Sequence, residues 1–241
     1  MLKKFCLWGS LAAALVFVPS AGATLQLTLS SGATTLVIND NGPICNGSNG
    51  PACDSNSAVG QITYIGAVGN WNLNVTTGTL GTNPILDLSS VDTVKGSGTG
   101  ANSLTLKFSA TNLPGPQLSG FSANVGGTLA TNTTLMFSAY VDNTNTLYGM
   151  GTQVGSTLTF TNPPLIGFSG GQNGAAGAIT AALYSGTEIV NISSVGPTGT
   201  SSFDAQLDTV PEPAGVLLLG GVLLLTTGAI RRKLGSGSRR S

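Results

Sequence analysis

The sequence predicts an all-β protein whose body is an antiparallel β-sandwich or a jelly-roll-like fold. Three observations predict it. Apolar residues recur with period two between Thr24 and Thr209, turn-forming residues interrupt them at short intervals, and no segment in that range carries a convincing helical period. A β-solenoid would need a fixed sequence repeat, and none is present. The low charge and abundant Gly, Ser, Thr and Asn would also suit a disordered tract, but the recurring alternation argues for a packed core.

In chain order, residues 1–23 read as a signal peptide. Lys3 and Lys4 form a positive start, Phe5 to Val18 an apolar stretch, Pro19 and Ser20 a break, and Ala21-Gly22-Ala23 a small-x-small site with cleavage after Ala23. Cys6 lies inside the apolar stretch and away from a lipid-attachment position, so no lipid anchor is implied.

Residues 24–209 form the exported body. Leu25, Leu27 and Leu29 share one face of a first strand, and Trp71, Leu73 and Val75 share one face of another. Leu104, Leu106, Phe108 and Ala110 oppose Thr105, Lys107 and Ser109, the pattern of a strand wet on one side. Phe121, Ala123 and Val125, then Leu135, Phe137, Ala139 and Val141, then Leu158 and Phe160, repeat it. So do Ile179, Ala181 and Leu183, and finally Phe203, Ala205 and Leu207. Turns are expected at Asp40-Asn41-Gly42-Pro43, Gly69-Asn70, Leu113-Pro114-Gly115-Pro116, Gly126-Gly127, Asp142-Asn143 and Asn162-Pro163-Pro164. The total comes to roughly ten to twelve short strands.

Residues 210–233 close the chain differently. Pro211 and Pro213 cannot lie inside a helix, so an apolar helix begins at or after Pro213. From Ala214 to Ile230 no residue is charged, and at 1.5 Å per residue this run reaches about 26 Å, near the lower limit for crossing a bilayer. Arg231, Arg232 and Lys233 form a basic stop that holds this end on the cytoplasmic side, so the body is expected outside. Residues 234–241 are a basic Gly/Ser/Arg tail on the cytoplasmic side.

Val-Pro-Glu-Pro, an apolar segment with the pair Gly220-Gly221, and Arg-Arg near the end resemble the PEP-CTERM sorting signal of Gram-negative bacteria. The resemblance implies an exosortase-type membrane protease as a partner, with Pro211, Glu212 and Pro213 as the recognition element and Arg231 with Arg232 as the basic stop. It implies a membrane-anchored intermediate, then delivery to the cell surface or the exopolysaccharide matrix. The β-rich body is loosely similar to ectodomains of that family, which implies no activity.

The formal net charge of zero hides an asymmetry. Between Thr24 and Thr209 the cations are Lys95 and Lys107, against seven aspartates and Glu188, which leaves minus six. Such a surface cannot neutralise phosphates, which excludes nucleic acid as a partner. Cys45 and Cys53 bracket a short polar loop and, in an oxidising compartment, are expected to form a disulfide contributing on the order of 2–3 kcal/mol.

The chain has no histidine, which removes Ser-His-Asp and Cys-His machinery and histidine-ligated zinc. Asp87 with Asp92, or Asp204 with Asp208, could in principle form a glycosidase acid and base, but isolated aspartates usually serve solvation or turns. No catalytic residue, cofactor or metal ligand is assigned. Asp40-Asn41 and Asp142-Asn143-Thr144-Asn145 offer oxygens that could hold calcium, although neither has EF-hand spacing and both suit turn initiation.

The expected function is therefore a non-catalytic structural or interaction role at the surface or in the matrix, associated with exopolysaccharide. One alternative is a carbohydrate-binding module, using Trp71, Tyr64, Tyr140, Tyr148 or Tyr184 as sugar platforms, although Trp71 alternates with Leu73 and Val75 as a core residue would. A remote one is ice or surface binding through Thr157, Thr159 and Thr161, which line one strand face.

Overall fold

The computed structural model describes residues 22–40, 42, 54–81, 85–94, 101–115, 119–163, 166–196 and 199–210. Strands β1 (Leu25–Ser31), β2 (Thr34–Asn39), β6 (Ala101–Pro114), β8 (Thr133–Asp142), β9 (Thr152–Gln153), β10 (Leu158–Asn162) and β12 (Leu183–Val195) build one antiparallel sheet. Its order is β10-β8-β12-β6-β1-β2, with β9 pairing beside β8. Strands β3 (Gln61–Val68), β4 (Trp71–Leu80), β5 (Leu86–Val94), β7 (Phe121–Thr128), β11 (Gly167–Gly174) and β13 (Thr200–Thr209) build the second, ordered β11-β7-β13-β5-β4-β3. The two sheets enclose one apolar core, and among the described residues there is no helix.

The alternation in the sequence reports this arrangement directly. Leu25, Leu27 and Leu29 of β1 are buried, as are Leu104, Leu106, Phe108 and Ala110 of β6, and Leu135, Phe137, Ala139 and Val141 of β8. Phe121, Ala123 and Val125 of β7 meet them from the other sheet, with Phe203, Ala205 and Leu207 of β13. Each buried large side chain removes apolar area worth about 1.5–3 kcal/mol, which is why a period of two is enough to choose the inner face. Leu158 and Phe160 of β10 are half-buried and pack against the rim of the core.

Three expectations need correction. The run Ile179-Ala181-Leu183 is not a strand: Ile179 is buried at an isolated bridge, the chain bends at Ala181 and Ala182, and Leu183 is exposed where β12 begins. β12 continues to Val195 with Glu188 at its centre, and that inward-facing carboxyl broke the apolar pattern. Gly126-Gly127 is no turn either; it lies within β7, paired to both β11 and β13. Trp71 and Leu73 are buried as the alternation predicts, and a register shift follows between Leu73 and Val75. Beyond the shift, Gly78 is buried, and its missing side chain makes room for the Phe108 ring. Finally, the described residues carry thirteen strands rather than ten to twelve, the extra ones including the glycine-rich β11.

The expected signal peptide through Ala21, Cys45 with Cys53, the expected sorting motif Pro211-Glu212-Pro213, the apolar run 214–230 and the expected stop Arg231-Arg232-Lys233 lie outside the described residues. Ala23, the expected cleavage position, lies two residues before the first strand and is half-buried.

Candidate functional site

The described residues place acids in two environments. The first is the outer face of the second sheet. Asp204, Gln206 and Asp208 alternate outward along β13, so the expectation that Asp204 and Asp208 share a face holds, with Gln206 between them. Gln206 pairs in register with Asp87 of β5 on one side and Asn124 of β7 on the other. Asp87 hydrogen-bonds to Asp204, and burial together with that neighbouring carboxylate pushes the Asp87 carboxyl up to about 6. Asp208 is raised by burial, an effect opposed by a hydrogen bond from Asn124.

Beside these acids runs an open groove of about 680 Å³, lined by Asn124, Gly126, Ser169, Gly171, Asp204 and Gln206 among others. Its floor is largely backbone because β7 contributes Gly126 and Gly127 and β11 contributes Gly170 and Gly171, each opposite a residue with a side chain. A Cβ on Gly171 would collide with the side-chain oxygen of Asn124, and one on Gly127, at φ +159°, with the Ser202 carbonyl. A second depression of about 220 Å³ continues over β5, past Ser89 and Ser202, and shares Gly126, Gly127 and Asp204 with the first.

The second environment is the interior. Glu188 is fully buried, and neither carboxyl oxygen has a hydrogen-bond partner. Its neighbours in register are Phe108 and Ala139, and desolvation raises its pKa far above the usual carboxylate range, helped by Asp87, Asp204 and Asp208. Asp92 is also buried: Ser90 donates to one of its oxygens at 2.5 Å, the other is unpaired, and burial pushes it up to about 7.

The proposed acid–base pair Asp87 and Asp92 is thereby corrected. They stand five positions apart on β5, an odd spacing that sends them to opposite faces of the sheet. The partner that the fold brings to Asp87 is Asp204, from a strand more than a hundred residues away in sequence. Glu188 was missed because a lone acid interrupts the apolar alternation of Gly-Thr-Glu-Ile-Val. An acid flanked by β-branched residues was the available signal.

The other candidates are accounted for by packing. Trp71, Tyr184 and Tyr64 are buried, with Tyr184 edge-on to Phe121 at 5.8 Å. Tyr148 lies half-buried across the outer face of the first sheet: its hydroxyl is 2.6 Å from the Thr28 hydroxyl and its N–H donates to Ser109. Tyr140 is half-buried beside Gln153 of β9. Thr161 and Thr157 bond to Thr134 and Ser138 at 3.1 and 2.8 Å, but Met136 pairs with Thr159 and interrupts the threonine row.

Several groups of the possible calcium turns make hydrogen bonds of their own, while Asp40 Oδ1 has no hydrogen-bond partner among the described residues. Asn143 accepts from the N–H groups of Thr180 and Ala181 and donates to the Ala178 carbonyl. Asn145 exchanges two bonds with Asn112, at 2.6 and 2.7 Å. Asp142 accepts from the Thr144 N–H, and Asp40 from the Gly60 N–H. Among the described residues, no group of three or more acidic or cysteine side chains is placed to hold a metal ion.

No protein-family model matches the chain, and no curated protein does. Among solved structures it is similar to the enzymatically active domain of tailspike protein 4 of bacteriophage CBA120, at 15% identity and a TM-score of 0.30. That match covers 59% of this chain and 20% of the tailspike chain.

Proposed function

We propose that this chain is an exported, non-catalytic protein of the bacterial cell surface or extracellular matrix, associated with exopolysaccharide. The observation that carries this reading is the order of features at the two ends. A positive start, an apolar stretch and a small-x-small site open the chain; Pro211-Glu212-Pro213, an uncharged apolar run and Arg231-Arg232-Lys233 close it. On this reading residues 1–23 are removed, a helix over 214–230 holds the membrane-bound intermediate, and an exosortase-type protease processes the chain near the Pro-Glu-Pro. Cys45 and Cys53 join in the oxidising compartment.

The sandwich-like body is consistent with such a role. Its outer faces are rich in Ser, Thr, Asn and Gln, and Lys107 is the only cation among the described residues, so solvation rests on uncharged hydrogen-bonding groups. The alternative of sugar platforms built from aromatic rings loses support where Trp71, Tyr64 and Tyr184 are buried. Expressing the full chain with and without the matching exosortase and fractionating the cells tests the proposal. The expected result is a shortened product outside the inner membrane only when the protease is present; full-length chain in the membrane in both cases would refute it.

A further inference from the structure

The two depressions on the second sheet meet at Gly126, Gly127 and Asp204 and together cross β11, β7, β13 and β5. At the usual strand spacing this gives a trough about 14 Å long. Its floor is peptide backbone and its walls are planar polar side chains. We propose that this trough binds a neutral, hydroxyl-rich glycan segment laid across the strands, with Asn124, Asp204 and Gln206 contacting its hydroxyls. The proposal deepens the surface-protein reading and rests on it for the polysaccharide setting, but the site itself is argued from geometry.

Three observations select the ligand class. The walls mix donors and acceptors: amides from Asn124 and Gln206, a carboxylate from Asp204, and hydroxyls from Ser169 and Ser202. A hydroxyl both donates and accepts and so matches every member of that set, whereas an ammonium group only donates. No cation lines the trough and three carboxylates stand in or beside it, so an anionic polymer is repelled. The bare floor at Gly126 lets a sugar ring approach the sheet without an aromatic platform, and the missing side chain at Gly171 leaves room for the Asn124 amide to lie over it. Of the acids, Asp87 is bound to Asp204 and Asp208 to Asn124, which orients the wall on both sides of Gln206.

The test uses the full chain purified in detergent micelles and isothermal titration against a dextran, a galactomannan and a soluble β-glucan. Polygalacturonate and chitosan oligomers serve as anionic and cationic comparisons. Binding to at least one neutral polymer is expected, weakened tenfold or more by Gly171→Val, which displaces Asn124, and by Gln206→Ala, but unchanged by Thr159→Ala on the opposite sheet. Circular dichroism establishes that each variant is folded, and Gln206→Ala decides the outcome if Gly171→Val is not. Absence of binding to all three neutral polymers, preference for polygalacturonate or chitosan, or binding indifferent to Gln206→Ala would overturn the proposal. Because purified chain is titrated directly, these outcomes are independent of whether the cell-fractionation experiment succeeds.

Discussion

Strand β5 carries one aspartate on each side of the second sheet, and the two have opposite circumstances. Asp87, facing outward, leans on Asp204 at the edge of a wet trough; Asp92, facing inward, has one serine and an unpaired oxygen in the core. Glu188 joins Asp92 inside with no partner at all. The comparison teaches that in this protein an acid's position on a strand, rather than its type, decides whether it serves solvation and recognition or opposes the fold. Inside, a carboxyl is tolerated because it keeps its proton. Outside, burial is partial and a neighbouring carboxylate supplies much of the perturbation.

The largest expected effect breaks the comparison by pH. Asp92 binds its proton more tightly folded, with its pKa raised from 3.8 to about 7, than unfolded. The folded state therefore holds more protons across that window, and stability falls as pH rises through it. It is greatest below the unfolded value and fully diminished above the folded one. At about 1.4 kcal/mol per unit, the loss from Asp92 is on the order of 4 kcal/mol, and Glu188 adds to it in the same direction. Urea unfolding at about pH 4 and about pH 8 measures this; equal stability at both would contradict the burial of these acids.

A smaller effect isolates Glu188. Replacing it with Met keeps the volume and removes two unpaired oxygens, so Glu188→Met is expected to stabilise the chain at neutral pH by about 1–3 kcal/mol. It should also flatten part of the pH dependence. On the outer face of the first sheet, Tyr148→Phe removes the bond to Thr28 and should cost about 0.5–1.5 kcal/mol in thermal or urea unfolding. The smallest change sharpens the outer-face side: Asp87→Asn should alter stability by no more than about 0.5 kcal/mol. Carboxyl NMR of that variant should lack the titration near pH 6 seen in the parent chain.

Much of the fold was legible. The inward faces of β1, β6, β7, β8 and β13 follow from alternation alone, because two-residue periodicity is a local property that burial then enforces. β11 was not legible, since Gly-Phe-Ser-Gly-Gly-Gln-Asn-Gly reads as a loop; pairing with β7 overrode its weak propensity. β12 was misplaced for a related reason, its centre being an acid that a solitary strand would expose. Of the trough, only the shared face of Asp204 and Asp208 could be read in advance.

By itself the sequence determined the all-β class of the body and the inner faces of several of its strands, because these depend on composition and on neighbours along the chain. Which residues meet was decided by strand order. Gly126, Ser169, Asp204 and Ser89 share one trough only because β7, β11, β13 and β5 lie side by side. That adjacency arises from long-range strand pairing whose register the buried faces set, so the outward side chains meet wherever the strand order brings them.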